Sequence, residues 1–173
     1  MPGFGFKDID PANWLEPDLV MHAFVRIDPE AGPTRMEGKD WVEAILRPRV
    51  GDAVPEDVQA LFEVARGAMV YGFLFYPLYT LAAEQLFRVS EAAISHKCKA
   101  MHAPNSRKSL ASRIDWLHQQ GVIPDANMPR WHASRKLRNM ASHPERQTII
   151  TPANAIGFVE RMAGLINGLF AGA

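Results

Sequence analysis

The apolar positions of this chain change rhythm about a third of the way along. Over residues 1–53 Pro, Gly and Asp interrupt every run and no period is sustained. One short helix is predicted at Asp40–Leu46, with Asp40 as its cap, Glu43 completing a capping box and Pro48 ending it. Trp14, Leu15, Leu19, Trp41, Ile45 and Leu46 are the side chains expected to pin this segment to the remainder. At Val54-Pro55-Glu56-Asp57, where Pro enters a first turn followed by acids, a helical rhythm starts. It runs through Val58, Leu61, Phe62, Ala65 and Met69, and resumes after Pro77 through Leu81, Leu86, Val89 and Ala93. Pro77 predicts either two stacked segments or one bent helix. The polar stretch from His96 to Arg107 is expected to end it.

Leu110, Ile114 and Leu117 mark the next helix, closed by Gly121 as a left-handed cap with Pro124 beyond. Another covers about Pro129 to Ser142, with Trp131, Leu137 and Ala141 as its buried candidates. The last begins at Thr151-Pro152 and carries Ile156, Val159, Ile166 and Leu169 down one side. No run alternates convincingly at period two. The pattern therefore predicts an all-α fold: a four- to five-helix bundle over residues 54–173, with residues 1–53 as an irregular N-terminal extension packed on it.

At 173 residues, 47% apolar and 22% charged, the chain has the make-up of one ordinary globule. Its net charge is zero, but residues 1–86 carry 7 basic and 14 acidic side chains, whereas residues 87–173 carry 12 and 5. The basic half also holds all the histidines except His22, a combination suited to phosphates. Cys98 is alone, which excludes an intrachain disulfide and a cysteine-built zinc site. The uncharged stretch Gly67 to Ala83 is short for a membrane span and contains Gly72 and Pro77. With no basic-then-apolar leader at the start, a cytoplasmic location and no membrane partner are expected.

The order of these signals resembles that of HEPN domains, in the branch labelled a domain of unknown function. The likeness runs from about residue 54 to 170. It rests on Val54-Pro55-Glu56, on Phe62-Glu63-Val64-Ala65, and on Leu86-Phe87-Arg88-Val89-Ser90-Glu91, where Ser90 replaces the usual aliphatic residue. The Gly121-Val122-Ile123 exit follows. Leu137-Arg138-Asn139-Met140-Ala141-Ser142-His143 then matches the Arg-x4-His signature. The resemblance implies a homodimer in which two motifs converge on one cleft, RNA as substrate, and a role in toxin–antitoxin or other defence systems. An antitoxin or regulatory protein would be a further partner. Where some toxin relatives carry a modifiable Tyr after the motif His, this chain has Glu145.

The chemistry of the motif residues suits RNA cleavage without metal or cofactor. Such cleavage needs a proton taken from the ribose 2′-hydroxyl, one given to the leaving 5′-oxygen, and stabilised charge on phosphorus. His143 titrates near neutrality, Arg138 offers a permanently charged fork to phosphate oxygens, and Asn139 can donate to phosphate or fix the imidazole. On an ideal helix Arg138 and His143 diverge by about 140°, but Pro144 disfavours helical geometry at His143. Arg138 equally suits an ion pair with Glu84 or Glu91 across the bundle, and His143 a helix-terminal position. Arg130, Trp131, Arg135 and Lys136 are candidate RNA contacts, with Arg107, Lys108 and Arg113 extending them. Glu84, Arg88 and Glu91, at i, i+4 and i+7, form a supporting polar face whose members can pair. The aromatic run Tyr71, Phe73, Phe75, Tyr76 and Tyr79 is expected in the core.

Overall fold

The computed structural model describes residues 6–141 and 150–171. Among the described residues six α-helices dominate: α1 (Gly38–Leu46), α2 (Glu56–Tyr71), α3 (Leu78–Ala100), α4 (Leu110–Gln119), α5 (Met128–Ala141) and α6 (Pro152–Phe170). The all-α reading holds, with five helices after residue 54. Among the described residues the β-structure is one antiparallel hairpin that the pattern missed, β1 (Val25–Asp28) with β2 (Gly32–Arg35). Its turn is set by Asp28, whose carboxylate accepts from the Glu30 and Ala31 N–H groups at 2.9 Å. Strands this short give too few alternations to reveal a period.

The helix starts follow local chemistry. Ser109 caps α4 by accepting from the Ser112 N–H, and Thr151 caps α6 from Asn154, with Pro152 in the first turn. α1 is a correction in detail: Glu37, not Asp40, is the cap, and Asp40 completes the box by accepting from the Glu37 N–H. Gly121 sits at φ +74° and terminates α4, with the Val122 N–H bonded to Leu117 O at 3.0 Å.

Pro77 separates α2 from α3, so the chain makes two helices with a tight turn between them. Gly72 permits that turn, because a Cβ there would stand 2.9 Å from the Tyr79 ring. α3 is the central helix and packs against α2, α4, α5 and α6. Its buried side includes Tyr79, Leu86, Val89 and Ile94 with the small residues Ala82, Ala83, Ser90 and Ala93 between them. The small side chains allow neighbouring helices close, and Ser90 satisfies its hydroxyl on Phe87 O at 2.7 Å. α3 also runs past the expected stop at His96 to Ala100, since Cys98 continues the buried side and Lys97 and Lys99 suit a helix C-terminus.

The N-terminal extension is fixed differently from expectation. Trp41 and Ile45 are buried, but Trp14, Leu15, Leu19 and Leu46 are exposed. The missing anchors are Met21, Phe24 and a buried carboxylate, Asp18. Asp18 accepts from the Val20 N–H at 3.2 Å and the Tyr76 N–H at 3.0 Å, while its own N–H donates to Phe73 O at 3.0 Å. Phe6 and Phe24 stack on Tyr76, and Trp41 meets Phe24 edge-on. The extension thus closes over the α2–α3 turn. Of the aromatic run, Tyr76 and Tyr79 are core residues, Phe73 and Phe75 are half-buried, and Tyr71 faces solvent. Among the described residues no helix is long and apolar enough to cross a membrane.

Candidate functional site at the end of α5

α5 lies on α3 and α4. Positions i, i+3 and i+7 of a helix share one side, and on α5 these are Trp131, Ser134 and Arg138. Trp131 is 2% exposed and Ser134 is buried, its hydroxyl without a hydrogen-bond partner. Arg138 continues that side to where the bundle surface is reached, so its guanidinium meets α3. Its Nη2 donates to Glu91 Oε2 at 3.1 Å, and its Nη1 to Asn139 Oδ1 at 3.4 Å. The side chains of Arg138 and Glu91 are 45% and 39% exposed. Of the two partners open to Arg138, Glu91 is therefore the one it takes. The carboxylate and carboxamide orient the guanidinium while leaving much of it in solvent.

His143 lies outside the described residues, as do Pro144 and Glu145. The polar face on α3 is brought together only in part. Glu91 reaches Arg138, but Glu84 and Arg88 are exposed and, among the described residues, form no ion pair with each other or with Glu91. The expected pairing along that face is corrected: the helix offers the spacing, yet Glu91 bonds across to α5 instead.

The proposed RNA-contact group also separates. Trp131 is a core residue and unavailable for contacting RNA, which corrects its assignment. Arg130 lies at the start of α5, where its Nη1 donates to Asn127 Oδ1 at 3.3 Å. Arg135 is half-buried and Lys136 exposed, on a different side from Arg130. Arg113 is a brace: its Nη1 donates to Ser95 Oγ at 2.8 Å and its Nε to Arg107 O at 3.1 Å, joining α4, α3 and their connection. Leu137, expected in the core, is 47% exposed because it falls on the opposite side of α5 from Trp131.

Sequence reasoning passed over three His–Asp contacts that tie elements together. His132 Nε2 lies 3.1 Å from Asp115 Oδ1 across α5 and α4. His118 Nδ1 donates to Ile123 O at 2.8 Å while Nε2 faces Asp125 at 3.3 Å, bracing the Gly121 turn. His96 Nε2 lies 2.6 Å from Asp57 Oδ2, fastening α3 to the start of α2. The His96 hydrogen bond holds the Asp57 carboxyl below its ordinary range, against a smaller opposing effect of desolvation. Each joins two elements that only the tertiary fold, or a turn of specified geometry, brings together.

Burial pushes the Cys98 thiol up, partly offset by Arg113, so it stays protonated and is a poor nucleophile or ligand. Among the described residues no group of three His, Cys, Asp or Glu side chains is placed to hold a metal ion. The polar apparatus around Arg138 can bind and orient an anion, and charge-assisted hydrogen bonds from a half-exposed guanidinium suit phosphate oxygens.

No curated protein and no solved structure matches this chain. A family model does, over residues 70–171, from the last turn of α2 through α6, and so across the helices that present Glu91 and Arg138. By that match, which spans more than half its length, the chain belongs to the family described as Domain of unknown function (DUF4145).

Proposed function

We propose that this protein is a metal-independent endoribonuclease of the HEPN type, acting in the cytoplasm as a toxin or defence ribonuclease. The observation that carries the reading is the half-exposed Arg138 guanidinium, oriented by Glu91 and Asn139 just before His143 in the chain. In this reading Arg138 binds the scissile phosphate and offsets the charge that builds on its oxygens. His143 takes the proton from the ribose 2′-hydroxyl as that oxygen attacks phosphorus. The P–O5′ bond breaks, and the leaving oxygen receives a proton from a second imidazole. The products are a 2′,3′-cyclic phosphate and a free 5′-hydroxyl. A homodimer bringing together two Arg138–His143 motifs supplies both imidazoles, one neutral and one protonated. A protein antitoxin would hold such an enzyme in check.

The same Arg138–Glu91 contact favours a second reading. A carboxylate beside the guanidinium is what a structural tie between α3 and α5 requires, and the chain would then be a non-catalytic module for a nucleotide or protein partner. Incubating the purified protein with mixed RNA in excess EDTA separates the two. The enzyme reading expects cleavage with cyclic ends, lost in His143→Ala and Arg138→Ala variants that remain folded. Intact RNA, with thermal stabilisation by a nucleotide, would replace it by the second reading.

A further inference from the structure

The start of α5 and the outer side of α6 border an open recess of about 370 Å³, lined by Asn127, Arg130, Glu160, Arg161, Gly164 and Leu165. Arg130 and Arg138 are separated by roughly 12 Å along α5 and project from different sides of it, so this recess is distinct from the motif. Two arginines are among the residues that line it. Among the described residues neither has a carboxylate within ion-pair distance, and Arg130 is held by the neutral Asn127 carboxamide at 3.3 Å. The one acid in the recess, Glu160, is already paired with Arg47 beyond α1. Arg161 lies back along α6, where a Cβ on Gly157 would stand 2.9 Å from its Nη1. At Gly164 the space is open, with no atom within 4 Å of a would-be Cβ.

An anion seated in the recess has two arginine side chains, Arg130 and Arg161, within its lining, and each can offer it forked, charge-assisted hydrogen bonds by a rotamer change. We propose that this recess binds the terminal phosphate of a small phosphorylated ligand, held by Arg130 and Arg161. The volume exceeds that of a phosphate group and suits a small organic body beside it. Leu165 gives that body an apolar wall, and Glu160 an acceptor for a hydroxyl. A carboxylate at this position also disfavours a second phosphate, which argues for a terminal phosphate and against a continuous polyanion such as RNA. The site is independent of the nuclease reading.

Calorimetric titration of the full chain at fixed ionic strength, with inorganic phosphate and with adenosine monophosphate as probes, tests this. Saturable binding is expected for at least one probe, weakened about tenfold or more by Arg130→Ala or by Arg161→Ala. Gly164→Leu, which fills the recess and leaves both arginines, is expected to abolish binding with an unchanged denaturation midpoint. Preference for the nucleotide would show that Leu165 and Glu160 read the organic part; equal binding would show that the phosphate alone is read. An absence of binding by both probes would overturn the proposal, as would binding that survives all three substitutions. A single-stranded RNA without terminal phosphates serves as the counter-probe: if its binding falls with Arg130 and Arg161, the recess is a nucleic-acid surface and the proposal is wrong.

Discussion

α3 is gripped in two places by opposite means. At its start the N-terminal extension covers the α2–α3 turn with aromatic rings and a fully buried carboxylate, Asp18, whose acceptors are taken up by backbone N–H groups. Further along, α5 packs on it and meets it at the surface through a half-exposed pair, Arg138 with Glu91. Water is excluded from the first grip, so every unmet hydrogen bond or lost contact there weighs on stability. At the second, water screens the charges and replaces a lost partner at little cost. The difference separates a region whose side chains are sealed from water from one whose paired side chains remain about half exposed to it.

Substitutions can break or sharpen that contrast. The largest effect is expected at Trp41→Ala, which should cost about 3–5 kcal/mol in denaturant unfolding by emptying a packed site. Trp41→Phe should cost far less than its volume suggests, because the buried Trp41 Nε1 has no hydrogen-bond partner to lose. Next, Asp18→Ala should cost about 2–3 kcal/mol by leaving the Tyr76 N–H buried and unpaired. His102→Gly should stabilise by about 1 kcal/mol, because His102 occupies φ +55° at the end of α3, a position glycine takes without strain. Arg138→Ala should change stability by less than about 1 kcal/mol. A larger loss there would move the α5 contact into the first class and erase the contrast.

A pH titration gives a gentler test. The Asp57 carboxyl is depressed in the folded state, so its contribution is present above the unfolded carboxylate range and is lost as pH falls through the folded value. Stability should therefore drop below a pH of about 4, and Asp57→Asn should flatten that slope. An unchanged slope in the variant would mean that the His96 contact does not persist in solution.

What the sequence made legible follows from the range of each signal. Gly121 and Thr151-Pro152 act within a turn of their own position, and each produced the expected helix boundary. The hairpin escaped because four residues do not establish a period. In the extension, hydrophobicity alone pointed to Trp14 and Leu15, whereas a carboxylate, Asp18, proved the anchor: its role depends on a backbone N–H far along the chain, at Tyr76. On α5 the spacing of Trp131, Ser134 and Arg138 carried the answer. Followed at i, i+3 and i+7, it places Trp131 inside, turns Leu137 outward and directs Arg138 to α3. Arg138 and Asn139 were singled out by their place in the motif, and the fold brings the Arg138 guanidinium to Asn139 and Glu91. The partner Glu91 stood as one of two choices, and only the crossing of α5 over α3 decides between them.

In the proposed nuclease, Arg138 is a functional cation that the fold can spare. Mass spectrometry of RNA 3′ ends, after incubation with wild-type and Arg138→Ala protein in EDTA, tests this directly when the denaturation midpoints of both are recorded alongside. The account predicts 2′,3′-cyclic phosphate ends from the wild type, none from the variant, and nearly equal midpoints. Intact RNA with both proteins, or a variant that loses its fold together with its activity, would contradict it.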